Sequence, residues 1–181
     1  MKFASLVIAL LALAALPRTS HAGGYVSAGV GTAPATGGEL SFLDASSSQS
    51  ARVGLGHGFG PVSLEASLGG YGVRGGTPDG GYVDGTALAA GVSVRGNLPL
   101  FAALSAFGRV GLERSWVAGE MGDLSGEGYL LGAGLELGVP MLLGDSSVFL
   151  EIDREYLTLQ RSMGAYDGFV DTATLGLRVG L

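Results

Sequence analysis

The chain has 181 residues, with 10 basic and 16 acidic side chains, 34 glycines and no cysteine. Disulfides and thiolate metal sites are therefore excluded, and the acidic balance, which repels phosphate backbones, argues against a nucleic-acid partner. No segment after residue 22 supplies the roughly 18 continuous apolar residues of a membrane-crossing helix, so a helical membrane protein is excluded as well.

Met1 to Ala22 read as a cleavable export signal. Lys2 gives the positive start, Leu6 to Leu16 form the apolar stretch, Pro17 breaks it, and Ser20-His21-Ala22 places small residues at a signal-peptidase site. No cysteine follows that stretch, which excludes a lipid anchor. Cleavage after Ala22 leaves 23–181 (181 − 22 = 159 residues), the length of one domain. Lys2 and Arg18 leave with the signal, so eight arginines face sixteen carboxylates and the mature charge is 8 − 16 = −8. Glycine stands far above its usual share of about 7%, without a collagen-like period.

From residue 23 onward the hydrophobic period is two, the period of a strand. Eight runs carry it: 24–32, 50–58, 62–72, 85–96, 101–116, 126–138, 147–157 and 171–181. In the fourth, Leu88, Ala90, Val92 and Val94 share one face, opposite Ala87, Ala89, Gly91, Ser93 and Arg95. In the sixth, Tyr129, Leu131, Ala133, Leu135 and Leu137 alternate with Gly128, Gly132, Gly134 and Glu136, and only Leu130 is off pattern. The last sets Ala173, Leu175, Leu177, Val179 and Leu181 against Thr172, Thr174, Gly176, Arg178 and Gly180. The connections 33–49, 59–61, 73–84, 97–100, 117–125, 139–146 and 158–170 run long and short in turn, apart from an overlong sixth. Turn chemistry marks the short ones, Phe59-Gly60-Pro61 and Asn97-Leu98-Pro99. An up-and-down transmembrane barrel with short periplasmic turns and longer outer loops has this alternation.

Three features place the apolar face against lipid. The other face is rich in Gly, Ala, Ser and Thr, which suits the narrow interior of eight strands. Charges of both signs interrupt it on successive strands: Arg52, Glu65, Arg95, Arg109, Glu113, Glu136, Glu151, Asp153 and Arg178. Enclosed together, they are expected to pair. Trp116, Tyr129 and Tyr156 share the apolar parity near the loop ends, where an aromatic girdle belongs. Arg114 and Arg154 also fall on the apolar face, close to that boundary.

Phe107-Gly108-Arg109-Val110-Gly111-Leu112-Glu113 and the ending Leu175-Gly176-Leu177-Arg178-Val179-Gly180-Leu181 are the most specific segments. With the eight runs around them, the whole mature chain resembles the outer-membrane-protein β-barrel domain family, the group of OmpA-like and OmpX-like eight-stranded barrels. The resemblance implies an all-β, antiparallel, eight-stranded up-and-down transmembrane barrel over 23–181, located in the outer membrane. It also implies that paired Arg and Glu plug or gate the lumen. The partners implied are outer-membrane lipid and the barrel-assembly machinery, which would engage strand 171–181. Here Leu181 and Val179 replace the aromatics common at those places. A monomer is expected.

Chemistry is expected to be absent. His57, the one histidine after Ala22, shares parity with Ala51, Val53 and Leu55 beside a short turn and has no evident serine partner of the kind that lipid A acyl hydrolases or transferases use. The inward carboxylates Glu151, Asp153 and Glu155 are expected to pair with arginines such as Arg109 and Arg178 rather than hold calcium. The glycines of 54–60 lack the helix and lysine of a phosphate loop. No enzyme activity, cofactor, metal or nucleotide site is expected. The leading expectation is a plugged barrel with a structural, membrane-integrity or surface-interaction role. A narrow pore or conduit for small hydrophobic molecules, of the OmpW-like kind, comes second, and a soluble periplasmic ligand-binding barrel third.

Overall fold

The computed structural model describes residues 22–45, 48–76, 82–101, 103–119, 124–139, 145–161 and 164–181. Apart from Ala22 itself, the expected export signal lies outside the described residues. The described residues form β1 (Ala22–Gly31), β2 (Ala35–Gly38), a 3-10 turn (Glu39–Phe42), β3 (Ser50–Phe59), β4 (Val62–Gly76), β5 (Tyr82–Pro99), β6 (Leu104–Gly119), β7 (Leu124–Gly138), β8 (Ser146–Arg161) and β9 (Gly164–Gly180). Each of the eight expected runs lies on its own long strand.

Neighbours pair antiparallel in the order β1-β3-β4-β5-β6-β7-β8-β9, and β9 returns to β1 through Tyr25↔Gly180 to Gly31↔Thr174. The sheet is thus a closed ring, the one β-architecture that leaves no unpaired edge in lipid. β2 is not a further stave of this ring. It continues β1 along β9, pairing Ala35↔Asp171 to Gly38↔Gly168, after the register slips by one residue across Thr32–Pro34. Pro34 has no N–H to give to the ladder, and a one-residue slip is the signature of a bulge. The barrel is eight strands around.

The alternation in sequence becomes an inside and an outside. Val53, Leu55, Leu64, Leu68, Val92, Val94, Val110, Leu112, Leu135, Ile152 and Leu175 stand exposed on the outer wall, and Arg95, Arg109, Glu65, Glu136, Glu151 and Asp153 are buried within. A soluble ligand-binding barrel has the opposite arrangement, with its apolar face enclosed. Leu130, off pattern as an apolar residue, is also inside.

The tight turn from β3 to β4 uses Gly60 at φ 75° ahead of Pro61, closing Phe59 onto Val62. A positive φ at the first central position is the hairpin-compatible choice, and glycine adopts it without strain. The strands overrun their expected ends elsewhere. β5 continues through Asn97-Leu98-Pro99, which is strand rather than turn. At the other end, connections expected over 73–84, 117–125 and 158–170 contract to 77–81, 120–123 and 162–163. The long–short alternation is therefore not a property of the fold. The extra pairs include Arg74↔Asp84, Glu127↔Thr158 and Thr158↔Asp167, held by the backbone ladder where no lipid demands apolar side chains.

Nor is the first connection an open loop. The segment 35–45 folds into the loop-end mouth of the barrel, where Leu40, Leu43 and Ala45 are buried against Val73, Ala87, Val117, Leu124, Leu157, Leu159 and Val170. The interior therefore has a packed apolar cluster at the loop end and its ion pairs in the lower half.

Candidate functional site

The ion pairs of the lower half are built from inward positions of seven strands, β3 to β9. Arg109 on β6 reaches across the lumen in two directions. Its Nη1 donates to Glu65 Oε1 on β4 at 2.9 Å, while Nε lies 2.9 Å from Glu151 Oε1 and Nη2 3.2 Å from Asp153 Oδ1 on β8. Arg52 on β3 meets the same two β8 carboxylates, pairing with Glu151 and placing Nη1 2.7 Å from Asp153 Oδ2. Strand alternation puts Glu151 and Asp153 two residues apart on one face, so a pair of arginines can bridge both. Four strands are cross-linked at this level.

A second layer lies nearer the end of the barrel that carries the β3–β4 turn. Arg95 on β5 and Arg178 on β9 both pair with Glu136 on β7, Arg178 through Nη1 at 2.6 Å. Ser147 donates a hydrogen bond to the other Glu136 oxygen, and Arg95 Nε donates to Asn97 Oδ1 at 2.9 Å. Arg178 Nη2 stands 3.6 Å from Glu65 Oε2, linking the two layers. Three buried aromatics floor this layer: the Arg95 guanidinium lies 3.4 Å from the Phe107 ring centre, and Arg178 lies 4.3 Å from Tyr25 and 5.8 Å from Phe149. These cation–π contacts satisfy guanidinium faces that water cannot reach. Glycine makes room for the rings. A Cβ at Gly134 would overlap the Phe107 ring, and one at Gly176 the Phe149 ring.

Of the nine charged residues singled out in the sequence, eight join these layers. Glu113 does not. Among the described residues no arginine comes within ion-pair distance of it; its neighbours are Ser115, whose hydroxyl donates at 3.4 Å, and the Glu155 carboxyl. The reason is spacing: Glu113 stands four residues, or about 13 Å, above Arg109 on the same strand. Arg178 likewise pairs with Glu65 and Glu136 rather than with the β8 carboxylates. Among the described residues no group of three or more His, Asp or Glu side chains is placed to hold a metal ion.

Trp116, Tyr129 and Tyr156 face outward. Tyr129 and Tyr156 stack at 4.7 Å across β7 and β8, and Phe169 on β9 extends the row at 6.5 Å. Arg154 donates two 2.7 Å hydrogen bonds to Asp171 while its guanidinium covers the Phe169 ring at 4.3 Å. Arg114 sits 3.6 Å from Glu127 and 5.7 Å from the Trp116 ring centre. Arg114 and Arg154 thus each have a carboxylate partner. At the opposite rim Phe59 and Phe101 are exposed, and His57 lies outward against Phe59 at 4.7 Å.

Sequence reasoning missed Tyr25, Phe107 and Phe149 as arginine partners, and Phe169, Phe59 and Phe101 as outward aromatics. Parity was available for each strand residue among them: Phe107 and Phe149 share a face with Arg109 and Glu151, and Phe169 with Ala173 and Leu175. Nothing in the composition of 33–49 marked Leu40 and Leu43 as an interior segment.

Comparison with known proteins agrees with this architecture. A model of the outer membrane protein beta-barrel domain matches residues 3–181. Among solved structures, Neisserial surface protein A superposes with a TM-score of 0.64 at 15% identity, over 91% of this chain and 100% of that one. The N-terminal β-barrel domain of Pseudomonas aeruginosa OprF gives 0.55 at 11% identity, over 89% and 100%. Outer membrane protein OprG from the same organism gives 0.52 at 10% identity, over 91% and 100%. No match was found among curated proteins.

Proposed function

We propose, on the premise that this chain belongs to the outer membrane protein beta-barrel domain family, that it is a closed barrel with a structural or surface-interaction role and passes no solute through its lumen. The outer membrane is its location, and lipid is the medium its apolar wall meets. One observation carries the reading. Arg109 and Arg52 tie β3, β4, β6 and β8 together across the interior through Glu65, Glu151 and Asp153, leaving charged side chains where a channel would need water. Eight strands enclose little space beyond what their own side chains fill.

On this reading the nine charged residues named from the sequence have structural roles, as do Trp116, Tyr129 and Tyr156, which anchor the barrel at the outer interface. The protein catalyses nothing. It is monomeric, loses residues 1–22 on export, and is recognised by the barrel-assembly machinery through strand 171–181. The apolar cluster at the loop end favours the conduit for small hydrophobic molecules as a second reading, but any such path ends on the arginine–carboxylate layers below it.

Purified protein reconstituted in planar lipid bilayers tests the reading. The expected record is flat, or shows rare small openings. A stable, high conductance at neutral pH and moderate salt would overturn it.

A further inference from the structure

The seal at the loop end is a separate device from the ion-pair layers. We infer that residues 35–45 form a strap that is seated in the barrel mouth by two wall glycines, and that this strap is a seal the barrel can lose while it stays folded.

The wall is shaped for the strap. Gly75 on β4 and Gly168 on β9 both point inward. A Cβ at Gly75 would overlap the Phe42 carbonyl oxygen; one at Gly168 would overlap the Gly37 carbonyl oxygen and come 2.7 Å from Leu40 Cγ. Glycine in a strand interior weakens the strand, and close approach of another backbone is the physical reason to keep it there. The strap turns into the mouth at Gly38, whose φ of 68° suits glycine. Leu40 is then wholly buried, with Leu43 beside it.

The hydrogen bonds that fasten the strap to the wall are few and lie near its ends, while the burial of Leu40, Leu43 and Ala45 holds its middle. Four residues of β2 pair with β9. Glu39 accepts a hydrogen bond from the Asp167 N–H at 2.9 Å, on the exposed rim. Asp44 and Arg74 form one isolated bridge, with N–H to carbonyl distances of 2.5 and 2.8 Å. Thr36 ties the strap to itself, donating to the Leu43 carbonyl at 2.6 Å. By contrast β4 to β9 are held by full-length ladders. The strap is joined to the wall by fewer hydrogen bonds than the wall strands are to one another, so its seat depends on how closely its backbone approaches the two glycines. Unseating it withdraws Leu40 and Leu43 from the mouth and uncovers the apolar side chains they pack against, while the ion pairs below stay in place.

A chain without cysteine permits a direct test. A hydrogen-bonded antiparallel pair has its Cα atoms about 5.5 Å apart, within disulfide reach. The double variant Asp44→Cys/Arg74→Cys is expected to cross-link under mild oxidation in lipid vesicles. Adding Gly75→Val or Gly168→Val, which lie on different strands, is expected to cut the yield at least about fivefold. Amides of 36–43 then exchange at least about tenfold faster, while β6 to β8 keep their protection and the unboiled barrel keeps its gel mobility. Failure of the double variant to cross-link overturns the inference. So does unchanged cross-linking and exchange in both valine variants, or loss of protection throughout the barrel whenever the strap is freed.

Discussion

Replacing Arg109 by leucine is the perturbation whose size follows most directly from the lumen geometry. Its layer holds Arg52 and Arg109 against Glu65, Glu151 and Asp153. After substitution, one cation faces three carboxylates. Removing one partner of a buried pair costs about 3–5 kcal/mol, because the other is left charged and unpaired. The loss here belongs at the lower end, about 3 kcal/mol, since Asp153 keeps Arg52 at 2.7 Å and Glu65 keeps Arg178 at 3.6 Å. That is roughly a hundredfold in the folding equilibrium. Arg114→Leu is the matched control. Its pair with Glu127 spans 3.6 Å between side chains 57% and 79% exposed, so about 0–1 kcal/mol is expected. Urea titration in lipid vesicles, followed by gel mobility and by the fluorescence of the one tryptophan, measures both. Equal midpoints, or a larger loss for Arg114→Leu, would refute the assignment of Arg109 to the interior.

Glu136→Leu takes the carboxylate from Arg95 and leaves Arg178 its 3.6 Å contact with Glu65, and should cost at least as much as Arg109→Leu by the same titration, about 3–5 kcal/mol. Phe107→Ala removes a buried ring and the surface under Arg95, so a loss of about 3–5 kcal/mol is expected in the same assay. Trp116 should emit at blue-shifted wavelengths in vesicles and be quenched by brominated lipids, whereas a lumen-facing indole would escape the quencher. Leu181→Phe should raise the folded fraction recovered from outer membranes, measured on unboiled gels against the unaltered chain.

Much of this fold was legible because a lipid-facing strand has only one way to be apolar. Val92, Ser93, Val94 and Arg95 alternate in sequence, and they alternate across the barrel wall. Parity then assigned Arg52, Glu65, Arg95 and Glu136 to the lumen before any geometry was known. It could not assign partners, since these depend on heights around the ring. Arg178 pairs with Glu136 rather than with β8, and Glu113 stands too far up its strand to meet Arg109. The strand ends were illegible for a different reason. Where Asp84, Glu127 and Asp167 face outward, water replaces lipid, the apolar alternation stops, and the hydrogen-bond ladder continues without it. The strap was hidden by its surroundings: Leu40 and Leu43 lie between glycines and a serine run, and a short 3-10 turn has no sustained period to read.

Heat-modifiability of the detergent-extracted outer-membrane fraction tests the central claim most directly. A closed transmembrane barrel whose apolar wall meets lipid should be found in that fraction and migrate faster unboiled than boiled. Release of the chain as a soluble periplasmic protein without detergent, with no mobility shift, would contradict the account.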